Sequence, residues 1–108
     1  MRNLGQLLMT QGIHSAIKES PTLGKSLQYA LHQFQNNDWG NTCKEDARMN
    51  DLALDQKDRV LAVYSTLIGD IWITTEFYPR AYYEECFGPS SEAREYLPVT
   101  TILLPSEY

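Results

Sequence analysis

The amino-acid sequence predicts one α+β domain, in which two to three N-terminal helices pack on a small antiparallel sheet of three to four strands. Its 108 residues are enough for a single domain spanning 1–108. Apolar side chains recur at helical spacing before residue 55, whereas short runs of branched and aromatic residues follow Arg59. Helices first and strands afterwards indicate an α+β domain in which the helices cover one face of the sheet.

The first apolar segment, residues 4–10, is too short for its periodicity to distinguish a strand from a helix. Beyond it, the i, i+3, i+4 spacing of Ile13, Ala16 and Ile17 predicts a short helix. This helix is expected to end before Pro21, because the residue that precedes a proline disfavours helical backbone.

A second helix is predicted to begin after Thr22, whose hydroxyl suits an N-cap. Its apolar stripe comprises Leu23, Leu27, Ala30, Leu31 and Phe34. Residues 36–41, rich in Asn and Gly, then predict a loop. We expect Trp39 in this loop, like Trp72 later in the chain, to lie in the core or at its edge.

A third helix is predicted from a capping box at residues 42–45. In that motif the Thr42 hydroxyl accepts a hydrogen bond from the amide of Glu45, and the Glu45 carboxylate reaches back to the amide of Thr42. The helix is expected to end near Leu54, and residues 55–58 form the turn that leaves it.

The second half of the chain predicts strands. Residues 59–66 and 71–76 are expected to pair as an antiparallel hairpin, and residues 99–104 form a third strand closed by Pro105. Residues 77–98 lie between them as a Tyr- and Glu-rich insert. This insert is longer than an ordinary connection between strands, and such segments are usually functional or disordered.

The charge is distributed unevenly along the chain. The net charge is −5, and residues 1–54 are neutral, with five basic and five acidic side chains. Residues 55–108 carry four basic and nine acidic side chains and account for the whole excess. A general binder of nucleic-acid backbones is excluded, because it needs a basic surface. A bacterial or host protein with a basic surface, such as a nucleic-acid-binding effector, is the expected partner.

Membrane and secreted classes are not expected from the composition. No apolar run approaches the roughly 20 residues of a membrane-spanning helix, and the N-terminus lacks the features of a signal peptide. Two cysteines without a secretion signal favour free thiols over a disulfide, although a single disulfide stays open. We therefore expect a cytoplasmic protein that does not bind membranes; the sequence does not predict its oligomeric state.

Residues capable of catalysis are present but lack a typical arrangement. The glycines form no phosphate-binding loop, and His14 and His32 lack a second ligand at a usual metal-binding spacing. Cys43 lies near a predicted helix start, where the helix dipole lowers a thiol pKa. We predict no catalytic residue, metal or cofactor. A small cysteine- or histidine-dependent enzyme is kept as a third hypothesis.

The strongest candidate binding residues lie in the insert, where tyrosines alternate with acids. They are Tyr78, Tyr82, Tyr83, Glu84, Glu85, Glu92, Glu95 and Tyr96. Tyrosine is enriched in protein interfaces, and carboxylates pair with Arg and Lys of a basic groove. In the competing interpretation, the tyrosines fold the insert back onto the sheet and the acids keep it soluble.

Several short motifs, taken in order, resemble a family of small bacterial proteins carried on plasmids, phages and integrative elements. The motifs are LGQL at 4–7, TQGI at 10–13, DWG at 38–40, ED at 45–46, AL at 53–54, RVLAVY at 59–64, IWITTE at 71–76 and TTILLP at 100–105, followed by Tyr108. Members are often called plasmid-related proteins or labelled type I restriction endonuclease subunit M. The family brings no established reaction. Its members join the last two strands by a short turn, so residues 77–99 are an addition in this chain.

The resemblance suggests two non-enzymatic functions. In the first, a mobile element uses this protein to bind and inhibit a bacterial defence effector, as anti-CRISPR and anti-restriction proteins do, with the insert against a basic surface. In the second, the chain is an accessory or regulatory subunit of a restriction-modification or other nucleic-acid enzyme.

Overall fold

The structure is a computed structural model that describes residues 2–108. In chain order its elements are β1 (Gln6–Met9), α1 (Gln11–Glu19), α2 (Leu23–Gln35), α3 (Lys44–Gln56), β2 (Val60–Thr66), β3 (Gly69–Pro79), α4 (Arg80–Phe87), β4 (Tyr96–Leu103) and a closing 3-10 turn (Pro105–Glu107). Within these residues the predicted α+β class is confirmed. The fourth helix lies between the last two strands and not in the N-terminal half.

The four strands form one sheet in the order β1-β4-β3-β2. The predicted hairpin of β2 and β3 is confirmed as antiparallel, and β3 also pairs with β4 in antiparallel fashion. β1 is parallel to β4, so the sheet is mixed and the prediction of a purely antiparallel sheet is wrong for this strand. The apolar segment at residues 4–10 is therefore a strand, because it pairs with the far edge of a strand some 90 residues later.

The core lies between one face of the sheet and helices α1 and α2. On the helix side, Ile13 and Phe34 are fully buried, and on the sheet side Ala62 and Ile73 are also fully buried. Ala62 and Ile73 face each other across β2 and β3, and buried residues alternate with partly exposed ones along β2, as expected where one face of a sheet is covered. Trp39 is 7% exposed and belongs to this core, as predicted.

The predicted capping box at α3 is wrong. Cys43, not Thr42, is the N-cap residue, and no side chain caps this end of the helix. The Thr42 hydroxyl instead donates to the carbonyl of Trp39 at 2.5 Å and accepts from the amide of Val63 at 2.9 Å. The Thr42 hydroxyl thus bonds to the edge of β2, whereas the sequence pattern predicts that it caps α3. α3 also runs two residues past Leu54, to Gln56.

The predicted insert at residues 77–98 is largely regular structure. β3 continues to Pro79, α4 occupies the next eight residues, and β4 begins at Tyr96, so 88–95 is the remaining loop. An ion pair of 3.1 Å between Arg80 and Glu84, one turn apart, supports α4. Gly88, with φ +88° and ψ −179°, adopts an extended positive-φ backbone that glycine readily reaches, and α4 ends there.

Among helices α1 to α4, none has the length and apolar character that a membrane crossing requires.

Candidate partner-binding surface

Helix α4 packs on the extended end of the β3–β4 hairpin. Tyr78 pairs with Leu97 across this hairpin. Strand alternation places both on the sheet face opposite Ile73, which faces α1 and α2. Leu97 is 1% exposed, and its neighbour Pro98 on the other face is also buried, so both faces of the sheet are covered at this end. α4 is thus held on a second, smaller packing layer.

Four aromatic side chains of this layer form a cluster, named here the α4 aromatic cluster: Tyr78, Tyr82, Tyr83 and Phe87. The ring centroids of Tyr78 and Tyr82 lie 5.0 Å apart, and those of Tyr83 and Phe87 lie 5.1 Å apart. Phe87 also stacks on Tyr78 at 6.2 Å. Phe87 was not among the predicted residues, although its i, i+4 spacing from Tyr83 was a readable helical signal.

Tyr82 is the most accessible member of the cluster, with 52% of the residue exposed, whereas Tyr78, Tyr83 and Phe87 are half-buried. Its ring is nonetheless held against Tyr78. A fixed, exposed aromatic ring loses little conformational freedom on binding, so it is suited to a binding contact.

The phenol groups of Tyr78 and Tyr82 both have a raised pKa. Burial is the main cause for Tyr78, with smaller contributions from the charges of Glu76 and Cys86. The pKa of Tyr82 is raised mainly by the neighbouring Cys86 side chain, which acts as a hydrogen-bond acceptor for the protonated phenol and repels the phenolate when it is itself a thiolate. Both hydroxyls therefore stay protonated at neutral pH and are able to donate hydrogen bonds.

Arg80 fixes the loop of residues 88–95 onto the start of α4. Its amide donates to the carbonyl of Glu95 at 2.9 Å, and its Nε donates to the carbonyl of Arg94 at 2.8 Å. The guanidinium also donates to the carbonyl of Glu92 and pairs with the Glu84 carboxylate. The Arg80 guanidinium and the Glu84 carboxylate are thus both engaged within α4 and its loop. Glu85 is an exposed carboxylate beside the cluster.

The structure brings together only part of the predicted set. Tyr78, Tyr82, Tyr83, Glu84 and Glu85 lie on α4 or directly beneath it. Two other acids and one tyrosine of the set lie in the loop or on β4: Glu92, Glu95 and Tyr96.

These three residues are separated from the cluster in different ways. The Glu92 carboxylate accepts a hydrogen bond from the amide of Asn3 at 2.6 Å, so it is engaged at the N-terminus. Tyr96 pairs with Pro79, and alternation places its side chain on the opposite face of the hairpin from Tyr78. Glu95 is exposed at the end of the loop.

The residues considered for catalysis lie on different elements. His14 is exposed on α1, His32 is exposed on α2, and Cys43 is exposed at the N-cap of α3. Cys86 is an exposed free thiol on α4. Among residues 2–108, no three His, Cys, Asp or Glu side chains are grouped as a metal site requires.

A groove of about 530 Å³ lies elsewhere, between α3 and the β2–β3 hairpin. Trp72 and Tyr108 meet edge to face in it at 5.2 Å, and the Arg59 guanidinium lies 5.1 Å above the Tyr108 ring. Trp72, which is half-buried, thus lies at the core edge, as predicted.

Comparisons of the chain with protein-family models, with curated proteins and with solved structures find no match. The α4 aromatic cluster and the exposed Glu85 beside it together form the candidate binding surface, named here the α4 surface.

Proposed function

We propose that this chain is a non-enzymatic protein that binds and inhibits a bacterial defence effector of the CRISPR or restriction type. In this proposal the α4 surface covers a basic, nucleic-acid-binding surface of the effector. One juxtaposition carries the proposal: an exposed, pre-positioned tyrosine, Tyr82, lies three residues before the exposed carboxylate of Glu85 on the same short helix.

This combination suits a surface rich in Arg and Lys. An Arg side chain stacks on a tyrosine ring while it pairs with a nearby carboxylate, and together these contacts replace those made to a nucleotide base and phosphate. Hot spots in interfaces are enriched in such aromatic side chains. In this interface the α4 aromatic cluster is the apolar centre, and the carboxylate beside it belongs to the polar edge.

The charge of the whole chain supports the same class of partner. A net charge of −5 on 108 residues speeds approach to a basic protein without imitating an entire nucleic-acid duplex. The contact we propose is therefore local and centred on α4. Occlusion needs no reaction, which agrees with the dispersed placement of His14, His32 and Cys43.

A phage plating assay tests this function. Expression of the chain should restore plating of an unmodified phage on a strain with an active type I restriction or CRISPR system. The variants Tyr82→Ala and Glu85→Lys should lose this protection by about tenfold or more, because each removes a contact worth at least 1.4 kcal/mol if it is a hot spot.

Two matched variants serve as controls. Tyr29→Ala alters a tyrosine that is 67% exposed on α2, and Asp55→Lys makes the same charge change on exposed α3; both should retain protection. Equal loss in all four variants, or no protection against any effector, would overturn the proposal. Stimulation of methylation by a co-purified methyltransferase would favour an accessory subunit instead.

A further inference from the structure

The two edge strands of the sheet, β2 and β1, differ in whether their outer backbone groups are hydrogen-bonded. At the β2 edge, the Asn50 side chain donates to the carbonyl of Leu61 at 2.9 Å and accepts from its amide at 3.2 Å. Two residues along, the amide of Val63 donates to the Thr42 hydroxyl, and its carbonyl accepts from the amide of Asn41 at 2.8 Å. The chain itself thus closes this edge, as proteins do to prevent pairing between molecules.

The β1 edge has no such cover. Within residues 2–108, β1 pairs with β4 alone and forms the end of the sheet. Its sequence, Gln6-Leu7-Leu8-Met9, contains neither a charge nor a proline, the features that usually protect an edge. Leu7 is 44% and Met9 48% exposed, so apolar side chains flank an open row of backbone groups.

An apolar groove of about 230 Å³ runs beside this edge, on the sheet face that carries the helices. The apolar side chains that line it are Leu7, Met9, Ile17, Leu27, Leu31 and Ile102. Gly24 and Gln28 complete the lining, so the groove is uncharged. The strand edge and the groove together form one continuous apolar surface.

We propose that a second copy of this chain occupies this surface, with the two β1 strands antiparallel across a two-fold axis. The open backbone edge requires an extended strand as occupant, since only a strand matches its hydrogen-bond pattern. Each copy supplies both an apolar strand and an apolar groove, so the surface is self-complementary, as an isologous dimer needs. Without charge in the lining, the axis brings no like charges together.

Side-chain alternation limits the register of this pairing. Residues that face each other across the axis must lie on the same face of the sheet, because the axis runs perpendicular to it. Any register centred on one residue of β1 meets this condition, and the register centred on Leu8 also sets the two exposed apolar side chains opposite each other: Leu8 lies opposite itself, and Leu7 lies opposite Met9 of the partner subunit. The two sheets then form one continuous sheet of eight strands.

The helices must contribute to the interface. A stable dimer buries about 1,200 Å² or more in total, which a four-residue strand cannot supply alone. Ile17 of α1 and Leu31 of α2 line the groove on the same face and are half-buried, so they are placed to meet their counterparts across the axis. This interface uses none of the residues of the α4 surface and does not depend on the proposed function.

Light scattering coupled to gel filtration tests the dimer over a dilution series of the full chain. We expect a mass near twice 12.4 kDa, falling toward 12.4 kDa on dilution. Leu7→Lys and Met9→Glu should each be monomeric, because each places a charge opposite an apolar side chain. An equimolar mixture of the two variants should form a heterodimer, since the register pairs the new cation with the new anion.

Two controls keep this result specific. Tyr29→Lys, at an exposed position of α2 outside the groove, should remain dimeric, and circular dichroism should give all variants the helix content of the parent. A monomeric parent at every concentration, a dimeric Leu7→Lys variant, or a mixture that stays monomeric would each overturn the proposal.

A disulfide test checks the register itself. In a Cys43→Ser/Cys86→Ser background, Leu8→Cys should give an oxidised dimer on a non-reducing gel, because the two copies of this position face each other. Gln6→Cys should not, because position 6 faces position 10 of the partner subunit. Efficient cross-linking through Gln6→Cys, or none through Leu8→Cys, would overturn this register.

Discussion

A side chain near the end of the sequence, Glu107, caps the start of helix α1. The Glu107 carboxylate accepts hydrogen bonds from the Thr10 hydroxyl at 2.5 Å and from the amide of Gly12 at 2.9 Å. It also accepts from the amide of Leu104 at 2.9 Å. Thr10 is the N-cap residue of α1 but makes no capping bond of its own. Glu107 thus provides the cap and adds a negative charge at the positive end of the helix dipole.

Replacing Glu107 should make stability less dependent on pH. The Thr10 hydrogen bond, followed by those of Leu104 and Gly12, lowers the pKa of Glu107 below its usual 4.5. The unfolded chain therefore takes up the proton first, so the carboxylate's stabilisation is present above the unfolded pKa and is lost as pH falls through the folded one. Glu107→Gln should lower the urea midpoint at pH 7, and the difference from the parent should shrink as the solution is acidified.

A matched carboxylate identifies the source of this effect. Glu19→Gln changes an exposed side chain at the other end of α1 and should alter the urea midpoint at pH 7 less than Glu107→Gln does. A difference between parent and Glu107→Gln that stays constant with pH would contradict the capping role of the ionised carboxylate.

Asn50 has a comparable role at the β2 edge, but it is buried, with 6% of the residue exposed. Asn50→Ala should lower the free energy of unfolding by about 1–3 kcal/mol, because the amide and carbonyl of Leu61 lose their partners. Asn50→Asp should cost more, since a carboxylate then faces the Leu61 carbonyl. Urea titration measures both changes. Arg48→Ala, exposed on the same helix, should change stability by less than about 0.5 kcal/mol.

At the scale of elements, the sequence predicts what local pattern determines and misses what distant partners determine. The stripe of α2 and the β2–β3 hairpin follow from spacing and are found where expected. β1 is a strand because β4 lies beside it, a fact that no window of seven residues contains. The role of the Thr42 hydroxyl is likewise set by a distant partner, because it accepts a hydrogen bond from Val63, on a strand some 20 residues later.

The regular structure inside the insert does not follow from the length of the segment. Pro79 and Gly88 flank α4 and mark its two ends. Within the helix, the spacings from Arg80 to Glu84 and from Tyr83 to Phe87 are both four residues. Helical spacing alone therefore predicts that the candidate residues on α4 share a surface. The separation of Tyr96 from them follows from side-chain alternation in the β3–β4 pair, and the sequence does not give the register of that pair.

α4 and its loop should be removable as a unit. Pro79 and Tyr96 pair across the hairpin, so a two-residue Asn-Gly turn is able to replace residues 80–95. The shortened chain should fold, with stability lowered by about 1–3 kcal/mol because Leu97 loses its cover. It should also lose all protection in the plating assay. A folded deletion variant that still protects would move the binding surface away from α4.

At the scale of the whole molecule, the position of β4 decides when the chain is able to fold. β4 is the last strand in sequence, yet it lies between β1 and β3. It buries residues toward both faces, including Leu97, Val99, Ile102 and Leu103, each at most 5% exposed. β1 therefore has no strand to pair with until β4 is present. The sheet forms through contacts between distant parts of the chain.

A chain that ends at residue 95 should therefore be unfolded. Burial of each large apolar side chain contributes about 1.5–3 kcal/mol, and four are lost from a domain whose net stability is about 5–15 kcal/mol. Circular dichroism should give the fragment no cooperative thermal transition. The 80–95 deletion, which removes a stretch of comparable length but keeps β4, should retain one. A cooperative transition in the fragment would mean that β2, β3 and the helices form a core without the central strand, in which case β4 would be an addition to the domain and not its centre.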